Sequence, residues 1–166
     1  MLRFDLLATE GIDDTMVLAG DSHFWTTSEV QTDWDDPASA YVCTEFGGSS
    51  VTSANADEMG LPSTAVLQPV LDAANPQSLR YFDAESHGVG VVHLTATKAT
   101  VRYMATETVR EPVAGVAELA AFTVVAGTNR VTLGATDPDP SASTTTTSSL
   151  ATNTASAATA TPRFTG

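Results

Sequence analysis

Basic residues are scarce. Seven Lys and Arg stand against twenty Asp and Glu, a formal charge of −13 over 166 residues. Nucleic acid is gripped through clustered Lys and Arg on phosphates, and anionic lipid through a polybasic face. The sequence offers neither, so no nucleic-acid-binding surface is expected. Cysteine occurs once, at Cys43, which excludes an internal disulfide. It lies in an apolar run and is expected to pack as a small hydrophobe. With no second cysteine near it and no neighbouring histidine, neither a zinc site nor a thiolate nucleophile is expected there. No run of about 18 apolar residues occurs, so no membrane span is expected. The opening MLRFDLLATEGIDD lacks a basic stretch followed by an apolar one, so no signal peptide is expected.

What is present divides by composition, with no internal repeat. Residues 1–134 hold nearly all the aromatic and large aliphatic side chains, enough for one core at this length. Of the 32 residues in 135–166, 22 are Ala, Ser or Thr and three are Pro. Such a segment buries too little apolar surface to offset its ordering entropy and reads as a disordered tail. Its Thr144–Ser149 run is like the Ser/Thr/Pro-rich stalks that carry sugars or cross cell-wall material; an unselected flexible end fits equally.

Within the first part, Leu2–Glu10 reads as the last turns of a helix with Gly11 at its C-cap. TMVLA (Thr15–Ala19) reads as a buried strand ending at Gly20. AYVCTEF (Ala40–Phe46) is a second strand, closed by Gly47-Gly48. Ser63 can N-cap a helix over Thr64–Ala74, with Val66, Val70 and Leu71 on one face and Pro69 against it. Ser78–Phe82 reads as extended. Residues 89–94 and Ala99–Val109 form a β-hairpin about a turn near Thr95–Lys98, with Val101, Tyr103 and Ala105 on one face. One or two short strands (AFTVV, RVTL) are expected in 116–133. The strands fit an α/β or α+β sheet, and α+β is the expected class.

One spot joins a strand end, a glycine and two metal-capable side chains: Gly20-Asp21-Ser22-His23, directly after TMVLA. In α/β sheets, loops at the carboxyl ends of strands carry ligand sites. Gly20 lets the backbone turn, and Asp21 and His23, two apart, can point the same way in an extended loop. A carboxylate and an imidazole together suit a divalent cation or iron. A plain Gly-Asp turn with a solvent-exposed histidine fits the same spacing. His87 reads as lying beside Gly88 in a turn, and His93, in mid-strand, as a satisfied core histidine. Asp33, Asp35 and Asp36 lack the glycine and terminal Glu of an EF-hand loop and read as solvated. The serines after Gly47-Gly48 make no Walker loop, having neither its Lys nor its spacing.

VLAGDSHFW followed by YVCTEFGGSSVTS resembles the C-terminal third of the alkaline phosphatase D (PhoD-like) phosphohydrolases. In that family a strand enters a Gly-Asp-x-His loop, and a Thr-Glu-Phe-x-Gly-x-Ser-x-x-Ser segment follows. Thr44, Glu45, Phe46, Gly48, Ser50 and Ser53 match it with small shifts. SLRYFDAESHGVGVVHLTATKATVRYMATETV resembles the family's closing hairpin, and AFTVVAGTNR its late short strand. The likeness covers residues 1–131.

The resemblance implies the C-terminal portion of a calcineurin-like metallophosphoesterase four-layer β-sandwich over residues 1–134. It implies hydrolysis of phosphate mono- and diesters by a metal-activated hydroxide, at a site similar to that of purple acid phosphatases, with Fe3+ and Ca2+ as cofactors. It implies an extracellular or cell-envelope location. By motif position Asp21 and His23 would be metal ligands, with Ser22 where an apolar residue is usual. The family's other ligands lie on earlier loops, and only 14 residues precede TMVLAGDSH. The expectation is a C-terminal fragment, inactive alone, whose partner is the missing N-terminal half and whose lone sheet would expose a face that this half covers. An internal start, a split gene and a misplaced gene boundary would each produce it. The alternative, from another class, is a non-enzymatic β-rich surface or binding module with a Thr/Ser stalk; a decaying pseudogene product is a third.

Overall fold

The computed structural model describes residues 4–134; the expected tail, 135–166, lies outside the described residues. Element order is α1 (Phe4–Glu10), β1 (Thr15–Ala19), β2 (Trp25–Gln31), β3 (Tyr41–Gly47), α2 (Thr64–Ala74), β4 (Leu79–Asp83), β5 (Gly88–Leu94), β6 (Lys98–Thr106), β7 (Val116–Val125) and β8 (Val131–Leu133). The class is α+β. One four-stranded sheet runs β1-β3-β2-β4 and a second β5-β6-β7-β8.

The two sheets bury a shared core, in which Trp25 and Phe46 from the first meet Val101, Tyr103, Phe122 and Val124 from the second. Trp25 and Tyr103 stack with ring centroids 4.4 Å apart, close enough to add to the area they bury. The Tyr103 hydroxyl donates to the Thr26 carbonyl at 2.5 Å and meets Thr27 Oγ1 at 2.9 Å, so the sheets are pinned as well as packed. This corrects the expectation of a lone half-sandwich: the chain carries two sheets and the core between them. Outside the first sheet, Leu67 and Leu71 of α2 pack on Phe82, Leu79 and Phe24. Pro69 is accommodated within α2, and Ser63, though at the cap position, makes no side-chain cap.

Most expected elements form within a few residues of their expected ends. The strand β2 does not appear among those expectations. Its inward positions include Thr27, Glu29 and Gln31, each almost fully buried, so its pattern is polar although it lies inside. Glu29 is buried because its charge is matched. Its Oε2 accepts from Arg80 Nε at 2.8 Å and lies 3.0 Å from Arg130 Nε, and its Oε1 accepts from the Val131 N–H at 2.6 Å. These contacts join β4, β2 and the entry to β8, closing one margin of the sandwich. Two further corrections concern histidines. His93 is exposed, not a core residue, because Val92 is the β5 residue that packs on the core. His87 stands beside Gly88 not in a turn but in the stretch that leads directly into β5, and it is buried at 9% exposure.

Opposite the closed margin the sandwich is open. The edge strands β1 and β5 flank a groove of about 380 Å³ lined by Met16, Leu18, Val92 and Leu94. Leu18 and Leu94 are 60% and 68% exposed.

Candidate functional site

The strand β1 pairs parallel with β3, Thr15 opposite Cys43 through Ala19 opposite Gly47. Parallel pairing brings both carboxyl ends to one sheet edge. The loop after β1 (20–24) therefore lies beside the segment after β3 (48–58), and the Gly48 N–H donates to the Ala19 carbonyl at 2.7 Å.

Asp21 is exposed and His23 half-buried. The sharp turn expected at Gly20 is made instead at His23, whose φ of 59° lies in the left-handed region; Gly20 has no such φ, and a Cβ there would meet nothing. A non-glycine residue holds that conformation only when its surroundings over-determine it. They do so here from three sides. Ser49 Oγ donates to the His23 carbonyl at 3.3 Å. Trp25, fully buried, donates its Nε1–H to the Ser86 carbonyl at 2.9 Å. His23 Nδ1 lies 2.8 Å from the Ala54 carbonyl oxygen. A carbonyl only accepts, so Nδ1 carries the hydrogen and Nε2 holds the lone pair of the neutral ring. No partner for Nε2 is found among the described residues. A histidine whose Nδ1–H is tied to a backbone carbonyl is oriented as metal-ligating histidines commonly are.

The rest of a coordination shell is not found on the described residues: no group of three or more His, Cys, Asp or Glu side chains comes together there. Cys43 is fully buried, and burial, with Glu45 adding, pushes its thiol up to about 11, the opposite of an activated nucleophile. Asp33 and Asp36 cap their own turns by accepting from the Asp35 and Ala38 N–H groups, and the acidic loop is exposed as expected.

A polar cluster that sequence reading passed over stands on the same side of the fold. His87 Nδ1 lies 3.0 Å from the Ser50 carbonyl and 3.2 Å from Ser50 Oγ. Its Nε2 lies 3.2 Å from Glu58 Oε2. Arg110 reaches Glu58 Oε1 at 3.4 Å. The Asn55 N–H, helped by His87 and Arg110 and opposed by burial, holds the Glu58 carboxyl below the usual range. The partners of His87 stand 37 and 29 positions away, so no local motif could have flagged it.

A family model described as PhoD-like phosphatase matches residues 3–103. This chain belongs to the PhoD-like phosphatase family. A solved structure described as "Structure of PhoD" has a similar fold at a TM-score of 0.66 and 20% identity, covering 81% of this chain. The chain spans 25% of the length of that PhoD chain. No curated protein matches. The family match ends within β6, so the closed margin at Arg130 and Val131 lies beyond it.

Proposed function

We propose that this PhoD-like chain supplies one ligand-bearing loop, with Asp21 and His23 as the donors, to the metal centre of a phosphate mono- or diester hydrolase. The remaining ligands lie on an N-terminal half of the phosphatase domain. The observation that carries the reading is the Ala54 carbonyl on His23 Nδ1, which leaves Nε2 as a nitrogen donor without a partner among the described residues. Two donors two positions apart on one loop fit a share of a metal shell, not the whole of one.

When bound, cations such as Fe3+ and Ca2+ would supply an activated hydroxide and balance charge on the phosphate oxygens. This chain's part is to present a carboxylate at Asp21 and an imidazole nitrogen at His23, the latter oriented by the Ala54 carbonyl before substrate arrives. The open margin supports the reading. Parallel pairs are ordinarily buried within a sheet, and β1, with Leu18 exposed, is an edge strand among the described residues. On this reading the two sheets are the C-terminal portion of a calcineurin-like four-layer sandwich, and the assembled enzyme works in the cell envelope or outside the cell.

The test is complementation. Mixed with the N-terminal half of a PhoD-like relative, the chain should hydrolyse p-nitrophenyl phosphate or its bis-ester. Asp21→Ala or His23→Ala should cut that activity by about a hundredfold or more at unchanged folding. The chain alone should be inactive, and robust metal-dependent turnover by it would contradict the proposal. The second reading, a non-enzymatic β-rich surface or binding module, draws on the apolar groove between β1 and β5. It predicts that both substitutions are silent.

A further inference from the structure

We infer that His87 is a positioning residue for His23: by clamping Ser50 and Glu58 it fixes the loop whose Ala54 carbonyl selects the His23 tautomer. The inference rests on the reading of His23 as a ligand donor.

Val51, Thr52, Ser53 and Ala54 are all exposed, and the apolar anchor nearest the Ala54 carbonyl is Ala56, which is buried with Phe82 and Ala84. Upstream of that anchor the run is held by polar contacts, and His87 takes part in those on both sides. Ser50 and Glu58 flank Ala54 by four positions on either side, and one imidazole touches both. On the Ser50 side, the Gly88 N–H also donates to the Ser50 carbonyl at 3.2 Å, and Ser50 Oγ donates onward to the Ser53 carbonyl, next to Ala54. On the Glu58 side, the Asn55 N–H donates to Glu58 Oε2 and the Glu58 N–H to Asn55 Oδ1. Asn55 Nδ2 donates to the Glu85 carbonyl at 2.5 Å. The loop is thus stitched to the segment before β5 at both shoulders.

The hydrogen count fixes what the ring does. The Ser50 hydroxyl spends its hydrogen on Ser53, and the Ser50 carbonyl only accepts, so Nδ1 donates. Nε2 stands 3.2 Å from Glu58 Oε2, so one rigid ring spans both loop shoulders.

The readout is the His23 ring itself, followed by long-range 1H–15N NMR on the full 166-residue chain without metal. In the unaltered chain His23 should show a single Nδ1–H tautomer. His87→Leu, which keeps bulk and removes both ring nitrogens, should collapse this to a mixture with Nε2–H. His87→Asn keeps a donor near the Nδ1 position and should restore part of the preference. Should His87→Leu fail to fold, Glu58→Ala carries the test, because it removes one arm at a solvent-facing side chain, 32% exposed. It should shift the tautomer balance the same way. A folded His87→Leu or Glu58→Ala chain with His23 still locked as Nδ1–H would overturn the inference. In the complemented protein, His87→Leu should weaken Co2+ binding by about tenfold. If Co2+ left the His23 resonances unmoved even with His87 intact, the ligand reading would fall, while the tautomer result would stand on its own.

Discussion

Glu29 shows how a single side chain can hold a sandwich shut. It is 1% exposed, and a carboxylate that deep is tolerated only when paired and hydrogen-bonded. Arg80, Arg130 and the Val131 N–H meet those terms together, and Arg130 also lies over the Tyr41 ring at 3.8 Å. We expect Glu29→Ala to lower stability by about 3 kcal/mol, read as a shift in the urea midpoint. Arg130→Ala, at a half-exposed side chain, should cost only about 1 kcal/mol. Equal losses would mean that the pairing is not what stabilises this margin. The same scale shows what the sequence could carry. Asp21 and His23 are readable because both sit in one four-residue motif. The support of His23 is not, because the carbonyl that accepts from its ring lies 31 positions away.

Among the elements, legibility follows where the polar residues go. The strands β1 and β3, the helix α2 and the β5–β6 hairpin announce themselves through apolar runs, a cap position or alternation. By contrast β2 stays hidden: Thr27, Glu29 and Gln31 are buried only because Tyr103, two arginines and the Pro37 and Ser39 carbonyls await them. A bulge between Val30 and Gln31 breaks its alternation as well. The parallel pairing of β1 with β3 is equally silent, since the order of strands in a sheet is a tertiary outcome. The hairpin supplies a sharp test. A Cβ on Gly88 would meet the Met104 carbonyl oxygen at 2.0 Å, a backbone atom with no rotamer to escape into. Gly88→Ala should therefore destabilise by about 2 kcal/mol. Two residues on, a Cβ at Gly90 meets nothing, and Gly90→Ala should leave the thermal midpoint unchanged or raise it slightly.

For the whole molecule, buried acids set the response to alkali. Burial, with Glu45 adding, takes Cys43 from its ordinary 9.0 to about 11; burial, with Asp83 adding, takes Tyr81 from 10.0 to about 12. Both groups hold their protons more tightly folded than unfolded. Their contribution is therefore complete below pH 9 and is lost as pH rises through about 11 and then 12. The urea midpoint should fall across that window, and Cys43→Ala should delay the onset; an onset unmoved by that substitution would remove Cys43 as its source. The two margins differ in another respect. Glu29 meets its last hydrogen-bond donor 102 positions further along the chain, so on the ribosome the carboxylate must remain solvated until Val131 has left the exit tunnel. Nascent chains halted before Arg130 would lack both late partners, so this margin closes only once β8, the last of the described strands, has been made.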